Sequence, residues 1–421
     1  MFISWRRCGR LGAWRRTDEY NIREIDRIGA AFGFVPMTSI VVPKLIAVDT
    51  STLIGLADDL SSPEPDRRRV GESFVRDLSA RGWLPVVLFE NVMEMLRHGN
   101  PQTVSDRISL FAGFRQVAHV DSFRSRGTPG TIVDILAREV RVFLSNKTSD
   151  VFSIAASVRG SLFGFCDGTK ITNWLRQQVA NLRPQVQHSH PREKLLSSIS
   201  HIAAAGKDAT RLGTFRADSR MDREGIERYL EDMQRDLETQ FSSRGVSGVD
   251  CEDFVENFVR RVRATYLASA APDGSCAFSD LIDNLLRNNG IDAALVSDKT
   301  TVREIALLVG FNDKLKVASD ALGLSQPVVA SDIPIDKCPS EIVQSGLQRL
   351  RTSGALRAQA GDLVDSHLAT LACYCDLTIV DKRTKTYLNQ FKGQDQTAAK
   401  LIGKVVSLSK YTDVLREDLG Q

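Results

Sequence analysis

The sequence predicts an α/β protein whose parallel sheet is interrupted by a large, mainly helical insertion. Two nearly continuous apolar runs, Leu45–Val48 and Leu377–Val380, each end at an aspartate. Such runs are typical of parallel strands that are buried on both faces. Strand and helix patterns alternate around both runs, as they do in parallel sheets covered by helices. The long stretch between the two blocks is mostly helical in pattern, which indicates the insertion.

The first block, residues 37–120, contains the first apolar run and a second one at Leu84–Leu88. Helical patterns at Leu53–Leu60 and Arg69–Ala80 lie between these two runs, and a further helix follows the second run. Ser61-Ser62-Pro63-Glu64-Pro65 is a typical end of a helix, since proline and serine break the pattern. We therefore expect strand, helix, helix, strand and helix in this order.

The second block, residues 339–421, has the same alternation after an insertion that we place at residues 121–338. Within the insertion, apolar residues in Arg216–Phe241 recur at helical spacing and form one stripe. In the second block, Ser340–Leu350 and Asp362–Tyr374 have helical patterns, and the apolar run at Leu377 follows. The two blocks are thus expected to form one sheet although the insertion separates them.

Bulk composition is that of an ordinary soluble protein. The 421 residues exceed the usual size of a single domain, and 42% are hydrophobic and 25% charged. Lys and Arg number 55 against 52 Asp and Glu, for a net charge of +3, so charge alone does not indicate nucleic-acid binding. No apolar run reaches the roughly 18 residues of a membrane span, so we expect no membrane partner.

The seven cysteines are scattered, odd in number and without a CxxC pair. This distribution favours reduced thiols and a cytoplasmic protein over a disulfide framework. Residues 1–36 contain seven arginines together with four acids, which argues against a transit peptide. Either this segment is a basic arm, or Met37 is the true start of the protein.

The two strand-ending acids, Asp49 and Asp381, carry the functional argument. Ligands of an open parallel sheet collect at the carboxyl ends of its strands, so both aspartates are expected on the same edge. For Asp49, the ordinary alternative is a helix N-cap, because a helix starts directly after it.

Two further helices bring acids toward this edge. Glu90 and Glu94 lie four residues apart on one helical face, and Glu94 stands between two methionines, which suggests partial burial. Asp362 and Asp365 lie on a helical face that continues with alanines, and small residues permit close approach to the sheet. The alternative for the aspartates is a solvated first turn that favours the helix dipole.

Clustered acids without a cation would repel one another and raise some of their pKa values. Carboxylate oxygens are the ligands preferred by Mg²⁺, and two such ions about 3.5–4 Å apart can support phosphodiester hydrolysis. We therefore expect the acids to hold one or two divalent cations.

Three segments, Ile46–Leu53, Val86–Leu96 and Asp365–Arg383, resemble in this order the successive motifs of PIN-domain proteins. The resemblance covers about 160 residues in two blocks. It implies a three-layer α/β/α sandwich and a Mg²⁺- or Mn²⁺-dependent ribonuclease. The interval between the second and third motifs is far longer than in compact members of that family, and the middle of the chain stays unexplained.

On this resemblance, Asp49, Glu94, Asp365 and Asp381 are the catalytic, metal-binding acids, and Asp362 is an accessory metal ligand. The expected substrate is nucleic acid, RNA before DNA, and a protein partner or inhibitor could use the insertion. Lys382 and Arg383 are candidates for contacting substrate phosphate, or they form a solvated basic pair.

Four alternatives stay open. Asp280–Asp283 and Asp298 repeat the late acidic pattern and could supply the third and fourth acids. A haloacid-dehalogenase-type phosphatase also has an aspartate at a strand end, but it requires an acid where this chain has Ser51. Val302–Asp313 resembles part of a helix-turn-helix DNA-binding unit, against an ordinary pair of packed helices. Finally, a PIN-like scaffold could bind nucleic acid or a partner without cutting.

Overall fold

Six short strands form a single mixed sheet. Their bounds are β1 (Lys44–Val48), β2 (Trp83–Val87), β3 (Val117–Val120), β4 (Phe163–Cys166), β5 (Leu377–Ile379) and β6 (Lys404–Val406). The spatial order is β4-β3-β2-β1-β5-β6, and only β4 runs antiparallel to its neighbour. The protein is therefore an α/β protein with a mostly parallel sheet.

The computed structural model describes residues 43–125, 127–184, 211, 213–214, 222–242, 249–270, 275–353 and 362–415. From Lys44 onward these residues belong to one compact unit. The predicted basic arm, residues 1–36, and the alternative start at Met37 lie outside the described residues. None of the helices in the described ranges is long and apolar enough to cross a membrane.

Helices surround the sheet. Their bounds are α1 (Thr50–Leu60), α2 (Pro65–Ala80), α3 (Phe89–Leu96), α4 (Pro101–Ser109), α5 (Ile132–Ser145), α6 (Val151–Leu162), α7 (168–184), α8 (Arg223–Ser242), α9 (Val249–Ser269), α10 (Phe278–Asn288), α11 (Val302–Ala321), α12 (Pro339–Ser353), α13 (Asp362–Thr370), α14 (Lys382–Gln394) and α15 (Gln396–Leu401). The predicted helix Asp362–Tyr374 is shorter than expected, because its last turn tightens into a 3-10 helix at Leu371–Cys373.

Alternate residues of the central strand enter two different hydrophobic clusters. Ile46 and Val48 pack with α1 to α4, whereas Leu45 and Ala47 pack with α5, α6 and α11 to α15. Successive side chains of a strand point to opposite faces, so helices cover both faces of the sheet. This explains why the β1 segment is apolar throughout rather than alternating.

The region expected to be a helical insertion contributes to the sheet as well. Strand β4 lies within residues 121–338 and pairs with β3 along four residues. Helix α10, by contrast, belongs to a small separate cluster that includes Leu286 and Val296. Helix α11 runs unbroken through Asn312 and Asp313, so the helix-turn-helix alternative is wrong: the chain does not turn at this point.

One fully buried carboxylate joins α5 to the second block. Glu139 accepts hydrogen bonds from the Ser340 backbone N–H and hydroxyl, both at 2.8 Å, and from the Tyr374 hydroxyl. Burial raises the pKa of Glu139 to about 7, and the three donors limit that rise. These hydrogen bonds link residues that lie more than 200 positions apart in the sequence, and they hold the second block against α5.

Candidate functional site

The register of β1 and β5 places Asp49 and Asp381 at one edge of the sheet. Val48 is aligned with Ile379, and the Asp49 backbone N–H donates to the Ile379 carbonyl oxygen at 3.0 Å. Strands β2 and β3 extend from β1 to one side, and β5 and β6 lie on the other. Ligands of open α/β sheets bind at such a change of direction, outside the carboxyl ends of the strands.

Asp365 belongs to the same site. Burial, followed by the charges of Asp381, Asp49 and Glu94, raises its pKa to about 7, while the Arg351 guanidinium partly lowers it. A neighbouring negative charge disfavours ionisation of a carboxyl, so these three acids lie close enough to Asp365 to act on it. The four acids, two that follow β1 and β5 and two on α3 and α13, therefore form one electrostatic cluster, which we name the acidic cluster.

Asp49 and Asp381 differ in how their carboxylates are held. Both occupy N-cap positions, but only Asp381 makes the capping bond, accepting from the Thr384 backbone N–H at 2.7 Å. The Asp49 carboxylate accepts a hydrogen bond from the Ser51 hydroxyl instead. Its pKa is raised by burial and by Asp381, and Ser51 partly offsets the rise. Asp49 makes no side-chain capping hydrogen bond to α1, the ordinary alternative for this residue, although the backbone N–H groups of Ser51 and Thr50 also lower its pKa.

The two glutamates of α3 point to different surroundings. Glu94 contributes to the raised pKa of Asp365, and its Oε1 lies 3.9 Å from Arg97 Nη1. Glu90 instead accepts a hydrogen bond from the Ile132 backbone N–H at 3.3 Å, at the start of α5. The sequence-based preference for Glu94 over Glu90 agrees with this placement.

The remaining acids are placed as follows. Asp362 begins α13, and its side chain lies outside the described part of the structure. Asp280 and Asp283 lie on α10, and the segment before Asp298 contains a 3-10 turn, Ala293–Leu295, rather than a strand. Asp381 acts on Asp49, and both of these acids act on Asp365, so the geometry favours the later copy.

Arg351 is a site residue that the sequence did not identify. It is buried, donates to the Ser366 hydroxyl, and lies 3.4 Å from Thr384 Oγ1 through Nη2. Ser366 follows Asp365 directly, so this guanidinium ties the two helices that start at the acidic cluster. No local pattern distinguishes one arginine of α12 from its neighbours, so this role could not be predicted from the sequence.

Asn91 supports the other side of the site. It lies between Glu90 and Glu94 in the sequence and is buried, and its Nδ2 donates to Thr50 Oγ1 at 2.9 Å. Its Oδ1 accepts from the Leu88 backbone N–H at 3.2 Å, which fixes the start of α3. The side chain thereby links the helix after β1 to the helix that carries Glu94.

Hard carboxylate oxygens on three or four side chains fit Mg²⁺ or Mn²⁺ in donor type. Within the described ranges, however, no group of three or more His, Cys, Asp and Glu side chains is arranged to hold a metal ion. Asp49 is engaged by Ser51 and Asp381 by Thr384. The chemistry of the donors fits a divalent cation, whereas their present positions are set by contacts within the protein.

Comparison with known proteins identifies no relative. No family model, no curated protein and no solved structure matches the chain. A function for this chain is therefore proposed from the geometry of the acidic cluster and from the resemblance of three segments to PIN-domain motifs.

Proposed function

We propose that this protein is a metal-dependent nuclease that hydrolyses phosphodiester bonds, in RNA before DNA, with Mg²⁺ or Mn²⁺ at the acidic cluster. The observation that carries the proposal is the position of Asp49 and Asp381 at the carboxyl ends of neighbouring strands, where their charges also raise the pKa of Asp365. Grouping acids at such an energetic cost is typical of functional sites, because a bound cation removes the repulsion.

The proposed architecture is a PIN-like three-layer α/β/α sandwich. Support comes from the sheet with helices on both faces and from the order of the acids along the chain. Asp49 follows β1, Glu94 lies on the helix after β2, Asp365 lies in the first turn of α13, and Asp381 follows β5. This is the order in which the resemblance to PIN-domain proteins assigns the four acids.

Each acid has a role in this proposal. Asp49, Asp365 and Asp381 hold the cation at the edge of the sheet, and Glu94 completes the site from α3 directly or through water. When bound, the cation polarises the phosphodiester and lowers the pKa of a water molecule that attacks it. Asp365 must give up its proton to bind. Lys382, which is exposed beside Asp381, would contact substrate phosphate, and Arg383, which lies over the Tyr387 ring, is the second candidate.

The decisive experiment incubates labelled RNA and DNA with the protein in Mn²⁺ or EDTA, and compares the wild type with Asp49→Asn. Cleavage is expected only with the metal, and the variant should lose at least about 100-fold, as expected when a residue that binds a catalytic metal is removed. Asp58→Asn, an exposed acid on α1, is the matched control and should cleave normally. Cleavage that survives EDTA, or that is unchanged in Asp49→Asn, refutes the proposal.

A second candidate is a PIN-like scaffold that binds nucleic acid or a protein partner without cutting. It is favoured by one observation: Asp49 and Asp381 already have hydrogen-bond donors from Ser51 and Thr384 without any cation. Failure of Mn²⁺ to bind would select this candidate. The phosphatase alternative is not pursued, since Ser51 occupies the position where that chemistry needs an acid.

A further inference from the structure

A cavity of about 280 Å³ opens at the same edge of the sheet as the acidic cluster, since its walls include residues that follow the carboxyl ends of β2 and β3. Its walls come from the start of α3, the segment that follows β3, the start of α5, and helices α7 and α11. The side chains that matter for its chemistry are Phe89, Ser122, Arg124, Thr131, Trp174 and Ala321. The volume is close to the lower end of the range for small-molecule sites, about 300–1,000 Å³. Residues of the predicted insertion supply most of these walls.

Contacts through Glu90 connect the cavity wall to the helix that carries Asp365. The Phe89 backbone N–H donates to the Gly130 carbonyl oxygen at 3.0 Å, which joins α3 to the cavity wall. Glu90, the next residue, accepts from the Ile132 backbone N–H at 3.3 Å. The same oxygen, Glu90 Oε1, lies 3.2 Å from Nδ1 of His367 on α13. A chain of contacts therefore runs from the cavity wall through Glu90 to α13, the helix that carries Asp365.

The start of α5 does not make this cavity an anion site. Asp134 is buried and accepts from the Thr131 backbone N–H at 2.8 Å, and Glu90 already accepts from the amide of Ile132. Two carboxylates thus occupy the positions where a phosphate would bind at a helix start. A neutral ligand fits this charge pattern better than a phosphate.

The remaining lining selects for a flat group with polar edges. Phe89 and Trp174 offer aromatic surfaces, and Ser122 and Thr131 offer hydroxyls. Arg124 is exposed at the cavity, where a guanidinium can meet the phosphate backbone of a strand outside it. Aromatic stacking combined with edge hydrogen bonds and one outer cation is the way proteins bind an unstacked nucleobase.

We infer that this cavity binds one unpaired nucleobase of the substrate strand, next to the phosphodiester that the acidic cluster cleaves. The inference rests on the proposed function, because a nucleic-acid strand held at the acidic cluster would continue along the same edge of the sheet. A base within a duplex is stacked and paired, so it cannot enter a cavity of this size without leaving the helix. The protein therefore selects single-stranded segments, loops or ends.

The test measures binding separately from cleavage. A labelled single-stranded RNA is titrated by fluorescence anisotropy in EDTA with the Asp49→Asn protein, so that neither metal nor cutting contributes. Two cavity variants are compared in that background: Ala321→Phe, which fills the cavity, and Trp174→Ala, which removes an aromatic wall. Phe165→Ala is the matched control, since this aromatic side chain is 53% exposed on β4 and does not line the cavity.

Both cavity variants should weaken binding by about 5- to 150-fold, the effect of losing one stacked base. Phe165→Ala should bind like the parent, and a fully paired duplex should bind more weakly than the single strand. If Trp174→Ala melts at a lower temperature, Ala321→Phe decides, because it removes no core contact.

Unchanged affinity in Ala321→Phe, equal affinity for duplex and single strand, or no RNA binding at all overturns the inference. The proposed function fails separately. A wild-type protein that does not cleave RNA, combined with weakened binding in both cavity variants, keeps the cavity assignment and refutes the nuclease. A protein that cleaves RNA while Ala321→Phe binds normally refutes only the cavity assignment.

Discussion

Replacing Asp365 with asparagine should stabilise the metal-free protein and abolish its stabilisation by metal. The pKa of this carboxyl is about 7, against about 4 in an unfolded chain. A carboxyl with a raised pKa in the folded protein keeps its proton there after the unfolded chain has released it. The free energy of unfolding therefore falls as the pH rises from about 4 to about 7, and the full loss is present above pH 7.

The magnitude follows from the two pKa values. A change from about 4 to about 7 for one group corresponds to about 4 kcal/mol, and rearrangement of the other acids reduces this to about 2–4 kcal/mol. Unfolding a chain of 421 residues changes the entropy by about 1 kcal/mol per kelvin, so the melting temperature of Asp365→Asn should rise by about 2–4 °C. Asparagine is isosteric and cannot ionise, so it removes the repulsion and creates no cavity.

Differential scanning fluorimetry at pH 8 and pH 5, with EDTA or Mn²⁺, provides the assay. In EDTA at pH 8 the variant should melt higher than the wild type, and the difference should shrink at pH 5. With Mn²⁺ at 100 times its dissociation constant, the wild type should gain about 2.7 kcal/mol and the variant should gain little. Asp58→Asn is the control. A variant that melts lower than the wild type in EDTA at pH 8 would refute the reasoning.

Three other predictions concern the surroundings of the site. Arg351→Lys keeps the charge but loses one of the two side-chain contacts by which Arg351 links α13 to α14. Cleavage should therefore fall by about 10-fold or more, while the melting temperature stays close to that of the wild type. An unchanged cleavage rate would contradict the positioning role of Arg351. Tyr374→Phe removes a donor to buried Glu139 and should cost about 1–3 kcal/mol in urea unfolding. Tyr387→Phe is its control, because within the described structure that buried hydroxyl has no hydrogen-bond partner; equal effects of the two changes would contradict the account. Asp381→Asn should keep the cap of α14 but lose cleavage. Asp381→Ala should lose cleavage and also about 1 kcal/mol of stability, because alanine cannot cap the helix. Full cleavage activity in either variant excludes Asp381 from the site.

The sequence predicted the strands and helices that carry the acids because their signals are local. An apolar run ending in Asp49 or Asp381 requires only that a strand be buried on both faces. The starts of α2 and α4 were missed although both begin with proline, because the pattern places Pro65 at the end of a helix and predicts α2 only from Arg69, whereas the apolar runs of the strands were identified. These signals sufficed to place the two aspartates on one edge of the sheet.

The pairing of the two blocks depends on contacts that no local pattern encodes. Asp376 Oδ2 accepts from the Leu45 backbone N–H at 2.8 Å across 331 residues of sequence. Strands β3, β4 and β6 have only three or four residues each, too short for a periodic signal. The sequence consequently placed the whole of residues 121–338 outside the core, although β4 belongs to the sheet.

The supporting residues of the site were hidden for the same reason. Arg351 and Asn91 matter because of what they contact in three dimensions, and each looks like an ordinary polar residue of a helix. The cavity at the same edge of the sheet as the acidic cluster was equally invisible, because Phe89, Thr131 and Trp174 come from distant segments. A sequence pattern can indicate the acids that need a cation, but not the side chains that hold them in place.

The proposed function requires that the acidic cluster bind a divalent cation. Crystals soaked in Mn²⁺ and measured at a wavelength where manganese scatters anomalously test this directly. The account predicts a manganese peak within about 2.5 Å of carboxylate oxygens from Asp49, Asp365 and Asp381. An empty cluster in crystals of full-length wild-type protein at millimolar Mn²⁺, or a peak at Asp280 and Asp283 instead, would contradict it.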